Sequence, residues 1–134
     1  MLKIALFALN LVSLHAFGSG SVKVDTLLDT NRSWDGTEIV KWPEGKPEVK
    51  VLKYTIPPHT TLAWHKHPVP NVGHVVKGTL IVEVLDGPSK TFGPGDTFEE
   101  VVDIWHRGRN EGDTPVEIIV FQAAVKGQSP TIKK

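Results

Sequence analysis

A chain of 134 residues has the size of one ordinary domain, and its 40% apolar content is enough to close a single core. Fifteen Lys and Arg balance fifteen Asp and Glu, so the formal net charge is zero. Neither nucleic acid nor an anionic membrane surface is therefore an expected partner. Cysteine is absent, which excludes disulfides, thiolate metal sites and a cysteine nucleophile.

The chain opens with one positive charge at Lys3, followed by an apolar run from Ile4 to Leu14 broken only by Asn10 and Ser13. Small residues follow at Ala16, Gly18, Ser19 and Gly20. This layout predicts a secretory signal peptide over residues 1–18, with a buried first strand or helix as the alternative. The run is short for a bilayer, so no stable membrane anchor is expected. The mature protein is expected in the periplasm or secreted.

From Val22 onward, short segments rich in Val, Ile, Thr and aromatics alternate with turn signals. Strands are predicted over residues 22–28, 37–41, 48–56, 61–67, 73–77, 79–85, 97–101 and 116–124. The breaks fall at Pro43-Glu44-Gly45, Pro57-Pro58, Gly78, Asp86-Gly87-Pro88, Gly93-Pro94-Gly95 and Asn110-Glu111-Gly112. No apolar period of 3.6 persists after residue 28, so no substantial helix is expected. The prediction is one all-β domain over residues 22–128, a sandwich or barrel, with a polar tail at 129–134.

Of six histidines, His65, His67, His74 and His106 fall among the central strands. His65 and His67 are two apart, so on a strand both imidazoles project from one face and can meet one ion. His106 is the natural third ligand. By itself the His-x-His pair fits two solvated surface histidines equally well. His59 follows Pro57-Pro58 in a turn, and His15 belongs to the leader segment.

The spacing around these histidines carries a resemblance. His65-Lys66-His67, three residues, Asn71, six residues and Gly78 resembles the first cupin motif, H-x-H, three or four residues, E, six residues, G. Gly95, five residues, Val101-Val102-Asp103, two residues, His106, three residues and Asn110 resembles the second, G, five residues, P-x-G, two residues, H, three residues, N. The resemblance covers residues 65–110. It implies a cupin-type jelly-roll β-barrel of six to eight strands, with one divalent transition metal ion in its mouth on His65, His67 and His106. Zinc, iron, manganese, nickel and copper all suit such a ligand set.

Three positions depart from the family pattern. Val101 and Asp103 stand where it usually has proline and glycine. Asn71 stands where it usually has a glutamate ligand, and a neutral amide oxygen makes a weak fourth position. His74 has the opposite strand parity from Asn71 and is expected behind the ligands or packed. Tyr54, the only tyrosine, is a candidate pocket hydroxyl. Glu99 and Glu100 must face opposite ways, so one of them, with Glu100 as the candidate, can point inward as a base or ligand support. Trp64 and Trp105 each precede a ligand and should face away from the ion.

No serine nucleophile elbow or phosphate loop occurs, so catalysis would have to come from the metal. The resemblance implies a metal-dependent enzyme on a small organic molecule, dioxygenase-like or isomerase/lyase-like. The alternatives are a non-catalytic module that senses or stores a metal or small ligand, and a structural barrel with remnant histidines. A homodimer through a barrel face is the family expectation.

Overall fold

The computed structural model describes residues 20–134. The predicted signal peptide at 1–18 lies outside the described residues. Among these the chain is all-β, with ten strands and no helix. They are β1 (Pro47–Ile56), β2 (Thr60–Thr61), β3 (His65–Lys66), β4 (Asn71–Lys77), β5 (Leu80–Val84), β6 (Ser89–Phe92), β7 (Thr97–Glu99), β8 (His106–Asn110), β9 (Val116–Val125) and β10 (Ile132–Lys133). One sheet runs β1-β9-β4-β7 and the other β10-β3-β8-β5-β6, with β2 beside β8. All strand pairs are antiparallel, and the two sheets close over one core as a jelly roll.

Strand parity decides what each side chain meets. On β9, Val116, Ile118 and Val120 are buried while Ile119 and Phe121 are partly exposed. Leu80 and Val82 of β5 answer them from the facing sheet, and Ile56, Val75, Phe92 and Phe98 complete the cluster. Phe92 and Phe98 stack with centroids 3.9 Å apart. Phe98 also lies across Gly73 so closely that a Cβ there would stand 2.7 Å from its Cζ, so the ring occupies space only glycine leaves open.

Five of the predicted strands correspond to β1, β4, β5, β7 and β9, but three predictions need correction. Residues 22–28 form no strand, and Val22, Val24 and Leu27 are exposed. In 37–41 only Glu38 pairs, through a bridge to Arg32. The segment 61–67 splits into β2 and β3.

Residues 129–134 are not a free tail. Ile132 and Lys133 pair with Lys66 and His65, and the Lys134 N–H donates to the Trp64 carbonyl at 3.0 Å. The edge of β3 supplies backbone partners, so this strand is held by main-chain hydrogen bonds rather than apolar side chains. A hydrophobic pattern could not have announced it.

Candidate metal centre

Pairing of β3 with β8 sets His65 directly opposite His106. Two residues beyond His65, with the same parity, His67 bridges to Val102 just past the short strand. The three rings converge, with centroids 4.6, 5.0 and 5.1 Å apart. One ligand nitrogen from each lies within 4.8 Å of the other two, a grouping that can hold a metal ion. His67 and His106 are buried, and His65 is half-buried.

The other nitrogen of each ring fixes its tautomer. His65 Nδ1 lies 2.8 Å from the Ala63 carbonyl, His67 Nδ1 2.9 Å from the Pro130 carbonyl, and His106 Nδ1 2.8 Å from the Ile104 carbonyl. A carbonyl oxygen only accepts, so Nδ1 carries the proton in all three. In the neutral ring Nε2 is then left with its lone pair facing the shared space.

A carboxylate closes the group. Glu100 Oε2 lies 3.1 Å from His67 Nε2 and 3.8 Å from His106 Nε2. Both Glu100 Oε2 and His106 Nε2 are buried with no hydrogen-bond partner. A carboxylate facing imidazole lone pairs repels them unless a positive charge sits between, either a proton on a ring or a metal cation. The residues present therefore fit a divalent ion. The titration directions follow the same logic. Burial would raise the Glu100 carboxyl, but His106 and His67 hold it well below the usual carboxylate range. Burial would lower His106, yet the Glu100 carboxylate raises it on balance. His65 is lowered, chiefly by burial.

Asn71, the expected weak fourth position, lies in β4 opposite Gln122 of β9. It is 1% exposed, its amide atoms have no hydrogen-bond partner, and it does not line the cavity at the histidines. Its backbone N–H donates to Glu99 Oε1 at 3.1 Å, and its carbonyl accepts the Glu100 N–H at 2.8 Å. Position 71 is thus the ladder neighbour of the residue that supplies the carboxylate. Glu99 faces the other way and is buried, which pushes its carboxyl up to about 7.

His74 is also set apart. Its Nδ1 lies 2.8 Å from Thr97 Oγ1, and it does not line the cavity. Tyr54 does line it, and burial, reinforced by Glu100, raises its hydroxyl. Outside, the Arg107 guanidinium lies 4.3 Å from the Trp64 ring, and Lys66 Nζ lies 5.5 Å from that of Trp105. His59 Nε2 contacts Asp113 at 3.0 Å.

The histidines open into a cavity of about 280 Å³ with a largely apolar wall that includes Leu62, Leu80, Val82, Ile118 and Val120. Three polar lining residues, Gln122, Thr131 and Lys133, carry no motif in the sequence. Gln122 follows Val116, Ile118 and Val120 in the same inward register of β9, and a polar residue in that apolar series was the available signal. Lys133 arrives on the unforeseen β10.

Because Pro130 holds the His67 tautomer, ending the chain at Ser129 is expected to weaken metal binding about 10- to 100-fold, the usual effect of losing such a partner. Zinc affinity measured by competition with a chromogenic chelator, alongside circular dichroism, checks this. Unchanged affinity in the folded, shortened chain would dissociate the C-terminal strand from the site.

The cupin domain family matches residues 52–122, more than half of the chain. No curated protein matches it significantly. Among solved structures, a DMSP lyase from Ruegeria pomeroyi aligns with a TM-score of 0.56 at 17% identity, over 64% of this chain and 43% of its own. An uncharacterized double-stranded β-helix protein from Klebsiella pneumoniae gives 0.56 at 18%, over 70% of this chain and 89% of its own. An oxalate decarboxylase from Lactobacillus farciminis gives 0.55 at 20%, over 63% and 26%. The chain therefore spans less than half the length of the two named enzymes, and the likeness is one of fold. Jelly-roll sheets, the three convergent histidines and the match over residues 52–122 lead to one statement: the chain belongs to the cupin domain family.

Proposed function

We propose that this cupin binds one divalent transition metal ion through His65, His67, His106 and Glu100 and acts as a metal-dependent enzyme on a small oxygen-bearing organic molecule. The observation that carries the reading is the three Nδ1–carbonyl contacts, which leave three Nε2 lone pairs beside the buried Glu100 carboxylate. The DMSP lyase and the oxalate decarboxylase share this fold and lend the enzyme reading support by analogy. Dioxygenase-like and isomerase- or lyase-like reactions both belong to the proposal. The periplasm or the exterior is the proposed compartment, on the pattern of residues 1–18.

When bound, the ion would act as a Lewis acid toward a substrate oxygen. The chain's own residues do the rest. The backbone carbonyls of Ala63, Ile104 and Pro130 hold each imidazole in the ligating tautomer. Glu100 offsets part of the cationic charge, and the apolar wall excludes water. Tyr54 offers a hydroxyl that stays protonated well above neutrality, able to donate a hydrogen bond.

A second reading, a non-catalytic metal or ligand binder, is favoured by one observation. Glu100 is the only carboxylate among the described residues that line the cavity, and metal binding would occupy it as a base. The test is metal analysis of untagged protein, followed by oxygen uptake and product detection with phenols, thiols, hydroxy acids and sugars. About one ion per chain with turnover of one class is the expected outcome. A loaded protein that turns over none of these would establish the binder, and protein that takes up no ion would remove both.

A further inference from the structure

Gln122 is 1% exposed and lines the cavity, and neither Oε1 nor Nε2 of its amide has a hydrogen-bond partner. Asn71, its partner across the β4–β9 ladder, is equally buried and unpartnered. A buried primary amide without partners costs stability, and methionine or leucine would fill the position without that cost. Of the two amides only that of Gln122 lines the cavity, where it is free to bond a group that enters. Lys133 lines the same cavity from β10. It is exposed, so it stands on the open side, and its ammonium makes no salt bridge among the described residues. The cavity thus presents a buried donor–acceptor amide, a free cation on its open side, and a wall of Leu62, Ile118 and Val120.

We infer that Gln122 and Lys133 are the recognition residues of this cavity and that its ligand is a small hydroxy or oxo acid. The carboxylate meets Lys133, the second oxygen function meets the Gln122 amide, and a short hydrocarbon body lies on the apolar wall. The inference rests on the proposed function in taking this cavity as the substrate site. Its size suits a body of a few carbon atoms, since drug-sized ligands fill pockets of about 300–1,000 Å³.

The experiment compares lactate and 3-hydroxybutanoate with propanoate and butanoate, which lack the hydroxyl, and with the neutral 1,2-propanediol and 1,3-butanediol. Binding to zinc-loaded full-length protein is followed by calorimetry and thermal unfolding, with zinc content measured in every sample. Hydroxy acids are expected to bind wild type more tightly than either control series. Gln122→Met, close in volume, should lose about tenfold in hydroxy-acid affinity and leave the plain acids unchanged. Without ligand, the same variant should unfold about 2–4 °C higher, because an unpaired amide has been removed. Lys133→Gln should weaken both acid series about tenfold and leave the diols alone.

A lower unfolding temperature for Gln122→Met would show that the amide holds the fold, and the inference would be wrong. Hydroxy acids that bind wild type no better than diols would overturn it equally. Failure of the metal site itself would register separately, as missing zinc in wild type, while the ligand-free unfolding of Gln122→Met would still be readable.

Discussion

Protein carrying His106→Ala is expected to bind zinc about 100- to 1,000-fold more weakly than wild type. Structural zinc sites hold their ion by about 10–16 kcal/mol, shared among four ligands, so each ligand accounts for about 2.5–4 kcal/mol. His106 is the best placed of the three to show the full effect. It is 1% exposed, sits opposite His65 in the ladder, and has no partner for Nε2 except what the site provides. Because alanine also leaves a hole in the wall, His106→Gln should be measured beside it. Glutamine keeps most of the volume and hydrogen-bonding capacity but lacks the imidazole lone pair. Circular dichroism separates a lost ligand from a lost fold. Metal retained in full by both folded variants would end the account of the site.

The second large effect is expected at Glu100, with position 71 as its control. Glu100→Gln should weaken metal binding by at least about tenfold, since a neutral amide replaces an anionic ligand. Asn71→Ala should change it by less than about threefold, because the Asn71 amide makes no hydrogen bond to the histidines. The reverse order would return the fourth position to the first motif. Metal-free protein supplies a further check through pH. Glu100 raises the His106 imidazole above its ordinary value. That contribution to stability is fully present below the unfolded pKa of about 6.5 and is lost as pH rises through the folded value. The stability difference between metal-free wild type and Glu100→Gln should therefore be larger at pH 5.5 than at pH 8.5, measured by urea unfolding.

The parts of the site that strand parity and spacing govern were legible in advance. His65 and His67 share a face because they are two apart, and the distance from Gly95 to His106 fits a family motif. The carboxylate was legible only halfway. Glu99 and Glu100 had to face opposite sides, but which one turned inward depended on how β7 registers against β4, a tertiary fact. β8 gave little warning because Arg107 and Arg109 point outward to pair with Glu83 while Gly108 points in beneath Leu62 and Leu80, leaving no apolar alternation to read. Asp103 shows how a departure from the motif can preserve its geometry. It adopts φ +58°, the left-handed region that suits the family's usual glycine and that Asp tolerates better than most residues. Its N–H still donates to the His67 carbonyl at 2.7 Å.

The short C-terminal strand has a practical consequence for anyone handling the protein. Pro130 supports His67 and Lys133 pairs with His65, so whatever is joined just beyond Lys133 starts at the rim of the three-histidine cluster. A polyhistidine purification handle placed there would hold competing imidazoles at high local concentration beside the candidate metal site. Stoichiometries and affinities from such a fusion would describe the handle as much as the barrel.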